Sequence, residues 1–347
     1  MRKIRVAIWG FGAMGKGIAE MIVQKKGIEI VGVCDLNKSL VGKDFNEALS
    51  VNTEHSAIIT SDNIDEVLSA ENLDLVLIAT DSYTKNSYSK ICKVIEKGIN
   101  VISTAEEMAY PYANNPKLSN EMDDLAKKNG VTILGTGINP GFIMDYLVIA
   151  LTGVMENIQS IQVNRVNSLS PFGPTVMEEQ GVGLEKEEYD KKMANNSLAG
   201  HVGFKESVYM IADAIGVEVD YFEQNMAPIV SSVHRESKYA KVQPGQLAGI
   251  NMTAFGKVNG EKFIEMRHPQ QIEPETEGTS TGDYINIEGK PAVNMSIQPE
   301  IDGGIGTISM CVNMIPHVLN ATPGLKTMID LPVPRAILGD MRKLLDK

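Results

Sequence analysis

Two adjacent carboxylates, Glu106 and Glu107, follow the short apolar run Asn100–Ser103 in the stretch Ser103-Thr104-Ala105-Glu106-Glu107-Met108-Ala109-Tyr110-Pro111. Carboxylates at a strand end that open a short helix suit general acid–base work. Neighbouring residues on a helix do not share a face, so one of the pair points into a site and the other complements the helix dipole as a first-turn acid. That second role fits either residue, and Glu107 is favoured over Glu106 as the base only slightly.

What such a base would work beside is written at the start of the chain. The apolar run Ile4–Trp9 passes directly into Gly10-Phe11-Gly12-Ala13-Met14-Gly15, a G-x-G-x-x-G, and helix-like sequence follows. Gly10 allows the tight turn, Gly12 lets a pyrophosphate approach the backbone, and Gly15 lets helix and strand pack closely. The phosphates then sit at the positive end of the helix that begins near Ala13. A second strand, Glu29–Val33, runs on to Asp35, twenty residues past Gly15, where a carboxylate accepts hydrogen bonds from an adenosine ribose. Gly10, Phe11, Gly12, Ala13, Met14, Gly15 and Asp35 are therefore the expected dinucleotide contacts.

Two further loops qualify as site-forming. Thr80 and Asp81, in Ala79-Thr80-Asp81-Ser82, can reach a cofactor ribose or nicotinamide, or serve as plain loop residues. Gly135-Thr136-Gly137-Ile138-Asn139-Pro140-Gly141-Phe142 demands a specific backbone path. There Asn139 can bond a nicotinamide carboxamide, or cap the helix that follows. Later in the chain, Arg165 offers a fork for a substrate carboxylate, and His201, in Gly200-His201-Val202-Gly203, can approach a ligand closely. Asn313 with His317 is a third polar grouping. Each of these also fits a satisfied structural role. No H-E-x-x-H, Cys/His cluster or G-x-S-x-G is present, so neither a metal site nor a nucleophile elbow is expected.

The elements that position these groups follow from periodicity. Short apolar runs at Val6–Ile8, Ile30–Val33, Leu75–Ala79, Asn100–Ser103 and Val131–Leu134 alternate with helical segments such as Ala13–Lys26, Thr84–Lys97 and Lys117–Lys128. That alternation predicts a Rossmann-type α/β domain with a doubly wound parallel sheet over residues 1–145. Residues 146–302 read as an α+β domain with an open, largely antiparallel sheet. Its strands fall near Ile158–Val166, Pro228–Val233, Leu247–Val258, Lys262–Met266, Asp283–Ile287 and Ala292–Ile297, with helices at Glu185–Lys192 and Phe204–Ile215. The tail from 303 to 347 completes the first domain, starting with a helix that Pro316 kinks or ends.

Composition narrows the class. A net charge of −12 with no basic stripe excludes a nucleic-acid partner. No apolar leader or bilayer-length run is seen, so the expectation is a cytoplasmic protein with no membrane association. Cys34, Cys92 and Cys311 are dispersed, and read as buried side chains in a reducing compartment.

Taken together, Gly10–Gly15, Val33-Cys34-Asp35 with Leu40–Asp44, Ser103–Pro111, Gly135–Phe142, Gly200–Ser207 and Ala321–Leu325 resemble the 2,4-diaminopentanoate dehydrogenases and related native amine dehydrogenases. The first motif is common; Thr-Ala-Glu-Glu, Gly-Ile-Asn-Pro-Gly-Phe and Gly-His-Val-Gly are far more specific. Dihydrodipicolinate reductases and homoserine dehydrogenases are wider relatives. This chain lacks the reductase His-His segment, and reads Thr-Ala-Glu-Glu where homoserine dehydrogenases carry Thr-Ala-Asn-Lys. The resemblance implies NAD(P)-dependent oxidative deamination of 2,4-diaminopentanoate at C4, a step of ornithine degradation, giving 2-amino-4-oxopentanoate and ammonia. It implies Arg165, His201 and Asn167 as contacts for the substrate's carboxylate and amino group, with Asn139 nearby, and a homodimer. Asp35 opposes a 2′-phosphate, so NAD is expected as preferred cofactor and NADP as usable. Competing readings are a homoserine or diaminopimelate dehydrogenase, and a non-catalytic dinucleotide sensor.

Overall fold

The computed structural model describes residues 2–51, 53, 60–61, 63–195 and 197–346. Along the chain run β1 (Ile4–Trp9), α1 (Ala13–Ile22), β2 (Ile28–Cys34), α2 (Phe45–Leu49), β3 (Thr60–Ser61), α3 (Ile64–Leu68), β4 (Leu75–Ile78), α4 (Thr84–Ile95) and β5 (Asn100–Ser103). Next come α5 (Pro116–Asn129), β6 (Thr132–Gly135), α6 (Tyr146–Thr152), β7 (Asn157–Ser168), α7 (Pro174–Glu179), α8 (Lys186–Ala194), α9 (Phe204–Ile215) and β8 (Tyr221–Val230). The last are β9 (Arg235–Glu236), β10 (Lys241–Val242), β11 (Leu247–Val258), β12 (Glu261–Gln271), β13 (Gly282–Lys290), β14 (Val293–Ile297), α10 (Gly303–Asn320) and β15 (Gly324–Lys326). The chain forms two units, Met1–Phe142 with Asp302–Lys347, and Ile143–Ile301.

In the first unit, seven strands form one sheet in the order β15-β6-β5-β4-β1-β2-β3, and every pairing is parallel. β4 and β6 are buried along their whole length, as strands covered on both faces must be, which is why they read as unbroken apolar runs. The chain winds outward through β2 and β3, then returns to place β4 on the other side of β1. The crevice outside the carboxyl ends of β1 and β4 is thus the place where such sheets bind ligands.

β15, at the sheet edge, was not anticipated: it has three residues and follows the turn at Ala321-Thr322-Pro323. Of the two outcomes expected at Pro316, a kink or an end, the end does not occur. α10 neither ends nor starts there but continues to Asn320. Proline within a helix costs about 3 kcal/mol. Cys311, Val312, Met314, Ile315 and Val318 around it are fully buried, each worth roughly 1.5–3 kcal/mol. Burial outweighs the lost hydrogen bond.

The second unit has a six-stranded sheet in the order β14-β13-β7-β12-β11-β8, beside a two-stranded ribbon of β9 and β10. All pairings in the large sheet are antiparallel except β7–β12, which is parallel, so the sheet is largely antiparallel as expected. The turn at Asn259-Gly260 fixes β12 as the return strand of β11, so β7 meets a neighbour whose direction is already set. β8 begins at Tyr221, earlier than the apolar signal at Pro228 suggested, because its first half, Tyr221-Phe222-Glu223-Gln224-Asn225, has two aromatic residues followed by three polar ones, none of them buried, and so carries no apolar strand signal. On β7, Ile161, Val163, Arg165 and Asn167 share one buried face; on β12, Ile264, Met266, His268 and Gln270 do. That face carries four buried polar residues, Arg165, Asn167, His268 and Gln270.

Candidate active site

At the head of the first unit, two glycines are glycine because protein fills the space. A Cβ on Gly10, whose φ is +96°, would lie 2.5 Å from the Ala79 carbonyl oxygen. One on Gly15 would lie 1.9 Å from the Gly10 carbonyl oxygen. Gly12 differs: nothing lies within 4 Å of its Cβ position. Its bareness serves an outside group, as the close approach of a pyrophosphate requires. Among the described residues no side chain caps α1, and no acid sits in its first turn, which leaves the amides of the helix N-terminus suited to an anion. Asp35 Oδ2 accepts the Phe11 N–H at 2.5 Å and Oδ1 accepts the Asn37 N–H at 2.7 Å, which aims the carboxylate at the glycine loop. These residues fit a nicotinamide dinucleotide.

The loop after β4 corrects one expectation. The Asp81 carboxylate accepts the Thr80 hydroxyl at 2.5 Å and pairs with Lys90 of α4, which also donates to Thr80 Oγ1 at 2.9 Å. Asp81 is therefore a brace that holds the loop. Thr80 keeps an exposed position, its methyl group against Gly10. The loop after β6 is folded tightly: Gly141 has φ +122°, and a Cβ there would lie 2.6 Å from the Gly137 nitrogen. Ile138 N–H donates to Thr307 Oγ1 of α10 at 3.2 Å, which anchors this loop. Asn139 lies half-buried beside it, joined to Pro140 by a cis bond. It is not a helix cap, because α6 is capped by Asp145, which accepts the Tyr146 N–H.

Glu106 and Glu107 open a 3-10 turn at the end of β5, and both are half-buried. Glu107 is held from two sides. Its N–H donates to the Ser82 carbonyl at 3.1 Å, while its Oε2 accepts the Thr84 N–H at 2.8 Å and Asn115 Nδ2 at 3.1 Å. Oε1 accepts no hydrogen bond from the described residues and is not enclosed. A carboxylate with one oxygen anchored and the other open is pre-organised for chemistry. Asn115 carried no signal in the sequence, since it stands where a helix cap is ordinary.

The buried face of the second unit assembles a second polar group. Arg165 was expected to offer a substrate a bidentate fork, and the structure corrects this. The guanidinium is 2% exposed; Nη1 donates to Asp283 Oδ1 at 2.5 Å and Nη2 to the Ile301 carbonyl at 2.6 Å. Asp283 also accepts the Ile301 N–H at 2.9 Å. Arg165 thus ties the unit's last residue to its sheet and leaves a positive charge beneath two histidines.

His201, on the glycine-flanked loop, packs edge-on to His268 with ring centres 4.8 Å apart, and both rings meet Phe204. His268 Nε2 lies 2.9 Å from Asn167 Oδ1. The amide oxygen only accepts, so the ring carries its proton on Nε2. His201 Nε2 is enclosed and has no hydrogen-bond partner among the described residues. Burial, and after it the Arg165 charge, pushes His201 down to about 4. Burial, His201 and Arg165 hold His268 well below the ordinary histidine range. Both rings are therefore neutral near pH 7. Gln270, the register partner of Asn167, is also buried on this face with its Nε2 unpaired.

His201 and Asn167 were legible as candidates; His268 and Gln270 were not, because no spacing in β12 marks them. Asn313 and His317 lie on α10 in the first unit, where Asn313 Oδ1 accepts the Ile337 N–H. Two hollows of the second unit, about 340 Å³ beside Met177 and Tyr239 and about 670 Å³ beside Thr253 and Arg267, contain none of the candidate side chains. Among the described residues, no His, Cys, Asp or Glu cluster is arranged to hold a metal, and no helix is long and apolar enough to cross a membrane.

A parallel sheet of this strand order, with a bare glycine at an uncapped helix and an acid at the end of β2, defines a dinucleotide-binding oxidoreductase. Residues 4–137 match the oxidoreductase family with an NAD-binding Rossmann fold, and residues 142–347 match the 2,4-diaminopentanoate dehydrogenase C-terminal domain. The chain is 53% identical to the 2,4-diaminopentanoate dehydrogenase of Acetoanaerobium sticklandii, over 100% of this chain and 98% of that one. It is 23% identical to the amine dehydrogenase of Streptomyces virginiae, over 96% and 98% of the two chains. Among solved structures, the amine dehydrogenase from Mycobacterium smegmatis superposes with a TM-score of 0.87 at 26% identity, covering 97% and 98%. The chain belongs to the 2,4-diaminopentanoate dehydrogenase family, and it is an NAD(P)-binding dehydrogenase.

Proposed function

We propose that the protein oxidatively deaminates 2,4-diaminopentanoate at C4, with Glu107 as its base and NAD as preferred cofactor. The observation that carries this reading is the Glu107 carboxylate, anchored at Oε2 and open at Oε1. The bound nicotinamide supplies the hydride acceptor. Glu107 Oε1 takes the proton that the C4 ammonium must lose before oxidation and passes it to solvent, so the carboxylate is ionised again when the hydride leaves. Loss of hydride from C4 then leaves a substrate iminium, whose positive charge the carboxylate stabilises. Water adds to that carbon as Oε1 takes one of its protons; Oε1 then returns this proton to the amino nitrogen, and as the C–N bond breaks the hydroxyl proton follows it, releasing ammonium and the C4 ketone with the carboxylate restored.

In the second unit, Asn167, His201 and His268 offer neutral donors and acceptors to the substrate's amino and carboxylate groups, over the buried charge of Arg165. In the first, Asn139 and Thr80 stay assigned to the nicotinamide and its ribose. Asp35 supports NAD over NADP, because its ionised carboxylate repels a 2′-phosphate. The family resemblance further supports a role in ornithine degradation, in the cytoplasm and as a homodimer.

The test is formation of NADH and ammonia from 2,4-diaminopentanoate by the wild type and by Glu106→Gln and Glu107→Gln. Equimolar products, lost in Glu107→Gln and retained in Glu106→Gln, are expected. Activity that survives Glu107→Gln removes it from the mechanism, and turnover of homoserine without ammonia would replace the amine reading.

A further inference from the structure

We infer that Asn115 is a positioning residue for the Glu107 carboxylate; the inference rests on the reading of Glu107 as the base. Asn115 stands at the N-cap of α5, where an asparagine ordinarily turns its side-chain oxygen onto an amide of the first turn. It makes no such bond. Pro116 at the first helical position already removes one of the amides a cap would serve. The side chain is 8% exposed, and its Nδ2 donates to Glu107 Oε2 at 3.1 Å. A residue type suited to capping its own helix is turned instead onto the candidate base.

The geometry explains what the second donor adds. The Thr84 N–H, at 2.8 Å from the same oxygen, is a single point of attachment about which a carboxylate can rotate and swing Oε1. Asn115 approaches that oxygen from another element, the head of α5, whereas Thr84 belongs to the first turn of α4. With both donors in place, and the Glu107 N–H held by Ser82, the side chain has one orientation. Oε1 is then the atom that meets a ligand. Misplacing a reacting group by about 1 Å can lower turnover about a hundredfold, so loss of one tether of two should register in kcat.

The experiment uses the full-length enzyme with 2,4-diaminopentanoate and NAD, and compares Asn115→Ala, Asn115→Ser, Glu107→Gln and the double variant Asn115→Ser/Glu107→Gln. Serine is a strong N-cap, so Asn115→Ser can make the cap that asparagine forgoes, while its short hydroxyl does not reach Glu107. We expect Asn115→Ser to keep or raise the melting temperature and to bind NADH as wild type does. Its kcat should fall roughly ten- to a hundredfold with the KM for NAD unchanged. Added to Glu107→Gln, the same change should have no further effect on the residual rate.

If Asn115→Ser keeps kcat within about threefold while Glu107→Gln is inactive, Asn115 does not position the base, and the assignment of Glu107 stands. If Glu107→Gln is active, that assignment fails and the positioning role falls with it. An Asn115→Ala variant that melts early, beside a stable and fully active Asn115→Ser, would show that the residue only joins two helices.

Discussion

Replacing Asp35 with serine tests the cofactor site with a magnitude that follows from its geometry. Backbone amides of Phe11 and Asn37 hold the carboxylate at 2.5 and 2.7 Å beside the glycine loop, where it is proposed to meet the adenosine ribose. A 2′-phosphate carries up to about two negative charges. At roughly 5 Å and water-like screening it is repelled by about 1.7 kcal/mol, a factor of roughly fifteen. Serine removes that repulsion. It also removes the charged acceptor of the ribose hydroxyls in NAD, worth about 1.5–3 kcal/mol. The two effects act in the same direction on the ratio of kcat/KM for NADP to that for NAD, which should rise by roughly two to three orders of magnitude. The assay is the initial rate of nicotinamide reduction with each cofactor, at low and at physiological ionic strength. The repulsive part should shrink with added salt, because the Debye length falls to about 8 Å at 0.15 M. A ratio that moves less than about threefold would refute the placement of Asp35 at the ribose.

Three further outcomes follow from other parts of the molecule. Gly15→Ala places a methyl group 1.9 Å from the Gly10 carbonyl oxygen and should destabilise the first unit, whereas Gly12→Ala has open space around it; Gly12→Ala should melt like wild type yet bind NADH at least tenfold more weakly by titration. Arg165→Met leaves Asp283 buried without its cation, so a loss of about 3–5 kcal/mol is expected, read as a drop of roughly 10 °C in thermal melting. An unchanged melting temperature would show that the pair contributes nothing. The third outcome concerns pH. His201 is lowered in the fold to about 4, whereas the unfolded chain takes up that proton near 6.5. Stability is therefore full above pH 6.5 and is lost as pH falls from there to about 4, by up to about 3 kcal/mol for this ring, with His268 adding in the same direction. His201→Gln should flatten the dependence of melting temperature on pH over that window, and an identical slope in the variant would count against it.

The residues proposed to meet the cofactor were visible in the chain itself, because their constraint is local. A glycine needed for a turn or a close approach, and an acid at the end of the following strand, keep fixed spacings along one β-α-β segment. Gly10, Gly12, Gly15 and Asp35 could be named without a fold. The pair Glu106-Glu107 was also visible, but not which oxygen of which residue is open. That depends on Thr84 and Asn115, which reach Glu107 from other elements. Arg165 shows the limit from the other side: its chemistry suggested a fork for substrate, and only strand register placed Asp283 opposite it. His268 reaches His201 and Asn167 because β12 lies parallel to β7, a pairing that no local pattern encodes. Spacing along the chain determines what a backbone segment can bind, whereas hydrogen-bond partners brought from distant strands determine which side chains are left open to react.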